Sequence, residues 1–543
     1  MSSIQIERLD HHGIVAGIID ELKIVDIIDG QIAADIQEDV STGEAVKAMI
    51  INGLGFSNRP LVLTPQFFEN LPMEALFRDG VNASHFNRYK LGRSLDKIFD
   101  YGCEVLFSAV AALGCQQEKV DQRFNSLDST SFSLNGDYSI DENKNTVNIT
   151  HGHAKDHRPD LKQVMLELMV SQDGGVPFIS KSWDGNGSDN VIFEERAASL
   201  IDVFKTSETP RYLVADSKLY HKKAKETLSQ IPFITRIPGS LKLERNVVDQ
   251  ALSDPAQWVD MEKGNRYQCF DLCHYEMEQR WLVVYSEAAL SRARSTLARQ
   301  QEKENRKIDK ALFHLQAKRF DSEIEAEAAL NELTETWRLH QLDGSSLTSH
   351  KRYTKKGRPI KNAKATGLFW KIQATFSINE IEIEAQAQHN ACFVIGTNIA
   401  ANELSDIEIF QGYKSQSNVE GGFRFLKDPL FFVSSLYLKK PSRIEALLMI
   451  MTLSLFVYSI TQRRIRQNLE IQKETIPNQI NQPVQRPTLR WIFQLFEGIN
   501  YVKQTFNNTI KIVVDRLNDL RLKILHLLGP AVCKIYQISA EGG

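Results

Sequence analysis

The stretch Tyr413-Lys-Ser-Gln416-Ser-Asn-Val-Glu420-Gly-Gly-Phe-Arg-Phe-Leu-Lys427 has a periodicity that orders the rest of the chain around it. A helix turns by about 100° per residue, so positions i, i+3, i+7 and i+14 fall within one narrow arc. The spacing predicts a helix on which Tyr413, Gln416, Glu420 and Lys427 share a face. A phenol, an amide, a carboxylate and an ammonium make a poor packing stripe. They are suited to holding a metal ion and a phosphate. A solvated helix face carrying one Glu is the bland alternative, and the companions of Glu420 decide between the two.

The companions are aspartates. Phe124-Asn-Ser-Leu-Asp128-Ser-Thr and Arg211-Tyr-Leu-Val-Ala-Asp216-Ser read as β-favouring segments that carry Asp at or near the strand end, each Asp followed by Ser. Side chains at the carboxyl ends of strands gather around the ligand crevice of an α/β sheet. Two strand carboxylates and one helix carboxylate form a hard, all-oxygen donor set suited to Mg²⁺ or Mn²⁺. Taken singly, Asp216 reads as well as a helix N-cap and Asp128 as a turn residue.

The 543 residues are enough for several domains, with 42% apolar and 24% charged residues as in an ordinary globular chain. The N-terminus shows no basic segment leading into an apolar core, and the chain reads as cytoplasmic. The apolar run Ile444 to Ile460 contains Glu445 and is short for a bilayer, so it reads as a buried core helix without membrane contact. Six scattered cysteines suggest no disulfide framework, and Cys269, Cys273 and His274 lack the second half of a zinc site. A net charge of −3 conceals an uneven distribution. The first forty residues hold nine acidic and two basic side chains, Ser291 to Arg319 nine basic and three acidic, and Lys351 to Lys364 seven basic and none acidic.

Along the chain, residues 1–118 read as a helical N-terminal domain that is a candidate for DNA end binding, with Thr42 capping a helix from Gly43 to Asn52 and a second helical run from Leu95 to Leu113. Residues 119–238 read as three strands (around Phe124, Asn145 and Gln163), a helix, a strand, a helix and a strand. This is an α/β texture. Residues 239–395 interrupt it with an inserted domain holding a strand near Arg280, a polar helix from about Glu287 to Leu342 and a strand pair from Phe369 to Ala387. Residues 396–467 return to the α/β texture with the Glu420 helix and the buried helix. Residues 468–543 read as a linker and an amphipathic helical tail, Leu489 to Tyr536.

In this order Asp128, Asp216 and Glu420, with Tyr413 and Lys427 at full spacing, resemble the DDE transposases of bacterial insertion sequences. More narrowly they are similar to the insertion-sequence-four superfamily, whose signature is Y-x2-R-x3-E-x6-K. Gln416 stands where that signature has Arg. The resemblance implies an α/β, ribonuclease-H-like catalytic core with a long inserted domain containing β-strands. It implies metal-dependent hydrolysis of double-stranded DNA at terminal inverted repeats, followed by strand transfer into target DNA by an enzyme acting as a homodimer. It also implies that Asp128, Asp216 and Glu420 bind two Mg²⁺ or Mn²⁺ ions, while Tyr413, Gln416 and Lys427 contact DNA. Lys414 and Arg424 are the residues placed to compensate for the missing Arg. A DNA-binding remnant without catalysis is the alternative that Gln416 supports, and another ribonuclease-H-like nuclease is a third.

Three further segments carry weaker signals. His151, His153, Asp156 and His157 resemble a ligand cluster, but a loop near the DNA backbone with Lys155 and Arg158 as phosphate contacts is the stronger reading. Lys355-Lys356-Gly-Arg358-Pro reads equally as a minor-groove hook and as an exposed basic loop. The basic helix Arg292 to Arg319 reads as a solvated charged helix or as a rail along the DNA backbone, and its charge excess favours the rail.

Overall fold

The computed structural model describes residues 3–33, 37–57, 59–138, 146–153, 155–156, 158–353, 364–431, 438–506 and 509–539. The chain divides into two compact units. The first comprises Met1–Thr235, Tyr275–Met277 and Thr397–Gly543, and the second Arg236–His274 and Glu278–Gly396.

The first unit opens with strand β1 (Ser3–Arg8), followed by helices that include Thr42–Leu54, Arg88–Tyr101 and Cys103–Gln117. Ser41, not Thr42, caps the first of these. Its hydroxyl accepts the Glu44 N–H at 3.0 Å while the Glu44 carboxylate accepts the Ser41 N–H at 2.8 Å. The expected single run across Leu95 to Leu113 is two helices. Gly102, at φ +114°, turns the chain by 89° between them, a backbone conformation that side-chain-bearing residues rarely adopt.

Strands β2 (Phe124–Leu134), β3 (Lys162–Ser171) and β4 (Pro177–Trp183) follow, then the helix Asp189–Lys205, β5 (Tyr212–Ala215), the short helix Lys225–Leu228 and β6 (Phe233–Arg236). The strand order is β4-β3-β2-β5-β6. Antiparallel pairing joins β2, β3 and β4, and parallel pairing joins β2, β5 and β6. The segment expected as a strand near Asn145 makes only an isolated bridge, Thr150 to Gln163, and β4 takes the third place instead. As a central strand, β2 is buried on both sides, yet its sequence is rich in Ser and Thr. Several of its buried polar groups are paired, although Asn125 Oδ1 has no partner among the described residues. The Asn125 amide donates to Tyr212 O at 3.3 Å, and Ser131 Oγ accepts the Lys155 N–H at 3.2 Å.

The second unit contains β7 (Val259–Met261), β8 (Asn265–His274), β9 (Met277–Ser286), the 31-residue helix Glu287–Ala317, the helix Glu323–Thr334, β10 (His340–Arg352), β11 (Gly367–Ile378), the helix Glu380–Asn390 and β12 (Cys392–Thr397). The long helix stops well before Leu342. Phe320 is fully buried and bridges to Trp370, with N–H to carbonyl bonds of 3.0 and 2.8 Å. Ser322 then caps a new helix. Cys269 and Cys273 stand four positions apart on β8, about 13 Å along a strand, so they form no metal pair.

The chain returns to the first unit with the helices Asp406–Lys414, Ser417–Leu426 and Pro441–Ile471. The last is apolar and long enough to cross a membrane, but 89% of its apolar window is buried inside the protein, as expected for a core helix. Arg463 and Arg464 lie within it and pair with Asp173 and with Glu21 and Glu118. The expected helical tail contains a hairpin, β13 (Asn500–Phe506) and β14 (Thr509–Val514), whose first strand pairs with β1. These labels leave out the two-residue strands at Ile476–Pro477 and Pro483–Val484.

Candidate active site

Parallel pairing of β2 with β5 ends at Leu127 opposite Ala215. Asp128 and Asp216 each lie one residue beyond that pair, so they emerge side by side from strands about 4.8 Å apart. Asp128 is therefore the fifth residue of an eleven-residue strand and not a strand end. It is the end of the parallel ladder that places it.

Local backbone groups hold both carboxylates. Asp128 Oδ1 accepts the Ser129 N–H at 2.7 Å, and Asp216 Oδ1 accepts the Lys218 N–H at 2.8 Å. Thr235 on β6 donates its hydroxyl to Asp216 O at 2.8 Å and ties down the loop. Burial pushes the Asp128 carboxyl up to about 7; the Ser129 N–H and Lys155 oppose this, and the charges of Asp216 and Asp189 add to it. Burial raises Asp216 as well, opposed by the Lys218 N–H and reinforced by Asp189. Carboxylates that are desolvated and mutually repelled favour a cation between them.

Asp189, the first residue of its helix, was not singled out in the sequence. Its Oδ1 accepts Ser129 Oγ at 2.6 Å and Lys155 Nζ at 3.0 Å, and the same ammonium donates to Ser129 O at 2.7 Å. Lys155 and Asp189 thus clamp the residue whose N–H holds Asp128. The only sequence signal was a Ser-Asp helix start after Gly187, which reads as a cap. Lys155, expected at a DNA phosphate, is engaged in this clamp. Arg158 forms a two-pronged exposed pair with Asp160, at 2.9 and 2.7 Å.

The predicted single helix from Tyr413 to Lys427 is broken. Tyr413 lies on Asp406–Lys414, Gln416 in the turn, Glu420 on Ser417–Leu426, and Lys427 caps that helix. At the break, Ser415 Oγ donates to Gly412 O at 2.5 Å, and Gln416 N, Asn418 N and Val419 N each bond three residues back. Such tightening winds the turn toward 3₁₀ geometry. Gly412 permits the close approach of the first helix to β2, since a Cβ there would lie 2.7 Å from the Phe124 ring.

Ser415 Oγ meets Ser126 Oγ at 3.3 Å, and Ser126, Asp128 and Thr130 alternate onto one face of β2. Glu420, Arg424 and Lys427 line a cavity of about 590 Å³ with Thr130. Glu420 is exposed there, on the face that also carries Asp128. Lys427 sits 5.5 Å from the centre of the Phe132 ring; burial lowers its ammonium below the usual lysine range, with Asp156 opposing. Lys414 lies over the Phe410 ring on the other helix, so Arg424 is the basic residue next to Glu420.

Among the described residues, no three His, Cys, Asp or Glu side chains come close enough to enclose a metal ion. The Asp128–Asp216 pair nevertheless has the hard oxygen donors and the unfavourable mutual charge that a divalent cation relieves. His151, His153 and Asp156 form no ligand cluster, and Asp156 accepts Ser133 Oγ at 2.6 Å. His157, Lys355, Lys356 and Arg358 lie outside the described residues.

Residues 120–457 match the family described as transposase DDE domain, which is more than half of the chain. The chain belongs to the transposase DDE family. Residues 4–112 of this DDE-family chain match a domain of unknown function, DUF4277. No curated protein matches it. Among solved structures, a piggyBac transposase synaptic complex with hairpin DNA is similar at 11% identity and a TM-score of 0.27, covering 50% of this chain and 57% of that one. The chain thus spans little more than half the length of that protein.

Proposed function

We propose that this chain is a cut-and-paste transposase of the insertion-sequence-four type, with a ribonuclease-H-like core that cleaves and rejoins double-stranded DNA at the ends of its element. The observation that carries the reading is the emergence of Asp128 and Asp216 side by side, beneath the helix of Glu420, inside the segment that matches the DDE family.

In this reading Asp128, Asp216 and Glu420 hold divalent cations, Mg²⁺ or Mn²⁺. When bound, these stabilise the developing charge at a phosphodiester and ease deprotonation of the attacking group, water in cleavage and a 3′-hydroxyl in strand transfer. The protein's own contribution is positional. The Ser129 and Lys218 amides fix the two aspartates, and the burial that raises them excludes water. Lys427 offers a point charge to a phosphate beside Glu420, and Arg424 a guanidinium fork. Gln416 gives a phosphate one neutral hydrogen bond, and Tyr413 a phenol. Two copies serve the two element ends. The basic helix Glu287–Ala317 adds sequence-independent affinity for the backbone.

The test is cleavage of a plasmid that carries the coding segment with its flanking DNA, by purified protein with Mg²⁺. Cleavage at the element boundaries, abolished in both Asp128→Asn and Glu420→Gln, is the expected result. Unchanged cleavage in the two variants would sink the reading.

A further inference from the structure

The second unit contains a cationic pocket that the catalytic reading leaves unused. Lys303 and Lys307 stand one turn apart on the helix Glu287–Ala317, about 6 Å along its axis. With Arg338, at the entry to β10, they line a cavity of about 580 Å³. All three are exposed, and Gln300 extends the same helix face.

One carboxylate, Glu304, stands among them, and its oxygens are turned to the protein. They accept the Arg338 N–H at 2.9 Å, the Leu339 N–H at 2.8 Å and the His340 ring at 2.8 Å. Glu304 therefore fixes the backbone that presents Arg338 and leaves the cations facing the cavity. Trp337 also lines the pocket, and its indole N–H is buried without an acceptor in the protein. A buried donor without a partner is costly, and an anion would satisfy it.

Beneath the pocket the helix is anchored. Ile308 and Leu312 pack with Phe320, Leu330 and Ile372, so the two lysines project from a fixed scaffold. The cationic surface also continues beyond the pocket, through Arg292 and Arg299 on one side and Lys310 on the other.

We infer that this pocket is a seat for a phosphate group of the DNA backbone, bound by Lys303, Lys307 and Arg338 with the Trp337 indole N–H as a neutral donor. The inference rests on the proposed action on DNA and adds to it a defined contact in the second unit. A free polyphosphate offers the same chemistry. The continuing row of cations favours a strand.

The experiment uses the full chain and a random-sequence 30-base-pair duplex, with binding followed by fluorescence anisotropy across a salt series. Lys303→Gln with Lys307→Gln is expected to flatten the slope of log affinity against log salt by about 2, at roughly 0.9 for each phosphate no longer neutralised. Trp337→Phe removes one donor and no charge. It is expected to weaken binding about tenfold while leaving the slope unchanged. Arg294→Gln with Arg306→Gln removes two charges from the same helix that are paired with Glu384 and Glu302, outside the pocket and its row of cations, and is expected to change the slope by less than half as much. Circular dichroism checks that each variant is folded.

An equal slope change in the control pair, or no effect of Trp337→Phe, overturns the seat while the proposed catalysis stands. Tripolyphosphate binding, measured by calorimetry, that is abolished in the pocket variants without any change in the DNA slope also overturns it, in favour of a free anion. If the wild-type protein binds no duplex at low salt, the seat and the proposed action on DNA fall together. If the pocket variants behave as expected but cleavage survives Asp128→Asn, the seat stands and the catalytic reading fails.

Discussion

The strand side and the helix side of the candidate site are built in opposite ways. Asp128 and Asp216 leave a buried sheet, each held by a backbone N–H, and their environment resists ionisation. Glu420 stands exposed on a ten-residue helix that follows a tightened turn. A sheet whose register is set by many hydrogen bonds can pre-position two ligands to within a fraction of an ångström. In the proposed site a short helix on its face would supply the third ligand and the basic groups around it, with more freedom to adjust when a substrate arrives. Rigidity belongs to the pair, and adaptability to the helix.

The largest effect expected on the strand side is that of Asp128→Asn. It should lower Mg²⁺-dependent cleavage about a thousandfold, equivalent to the several kcal/mol that a bound cation contributes, with the thermal unfolding profile little changed. A variant that cleaves at the wild-type rate would break the comparison, because the sheet would then hold no ligand.

Next in size is the clamp. Asp189→Asn and Lys155→Met are expected to raise the Mg²⁺ concentration needed for half-maximal cleavage by about 10- to 100-fold, with much of the rate recovered at saturating metal. A metal titration of the cleavage rate reads this. Rate loss without a shifted metal requirement would assign the pair a purely structural role.

A pH arm separates titration of the site from loss of the fold. His11 and His12 are stacked at 4.6 Å and buried. Burial lowers them to about 3 and about 4, with His12 adding to the shift of His11 and the carbonyls of Leu54 and Leu9 opposing. Between those values and 6.5 the unfolded chain binds more protons than the folded one, so stability falls as pH drops below 6.5. Thermal denaturation from pH 7 to pH 4 should show the midpoint falling, and the fall should be smaller in His11→Phe with His12→Leu.

Two helix carboxylates make a smaller contrast. Burial pushes Glu445 up to about 7, whereas Glu420 is exposed. The folded state therefore favours the protonated Glu445, and its stabilising contribution is lost as pH rises from 4.5 through 7. Glu445→Gln is expected to raise the midpoint at pH 8 by about 2 °C and to leave it unchanged at pH 4. Glu420→Gln should change neither. The smallest expected effect is a gain of a few-fold in DNA affinity for Gln416→Arg, since a charge-assisted contact replaces a neutral one.

Much of this could be read from the chain, and the misses have physical causes. The strand character of Phe124–Leu134 and Tyr212–Ala215 was visible in composition. The register that puts Leu127 opposite Ala215 joins positions 88 residues apart in sequence, and local pattern does not encode it. The break at Ser415 and Gln416 carries no Gly or Pro marker, only a serine that bonds back to Gly412. The clamp escaped notice because Asp189 resembles a helix cap and Lys155 a loop cation. Their meeting at Ser129 is again a long-range event. In the tail, Tyr501-Val-Lys-Gln and Ile510-Lys-Ile-Val alternate as strands do, and the apolar stripe was read as helical because the flanking segments are.

The most direct test of the unequal division between strand and helix is Mn²⁺ binding followed by electron paramagnetic resonance. The account predicts that Asp128→Asn with Asp216→Asn abolishes bound Mn²⁺, while Glu420→Gln keeps at least one ion at reduced affinity. Undiminished Mn²⁺ binding in the double aspartate variant would contradict it.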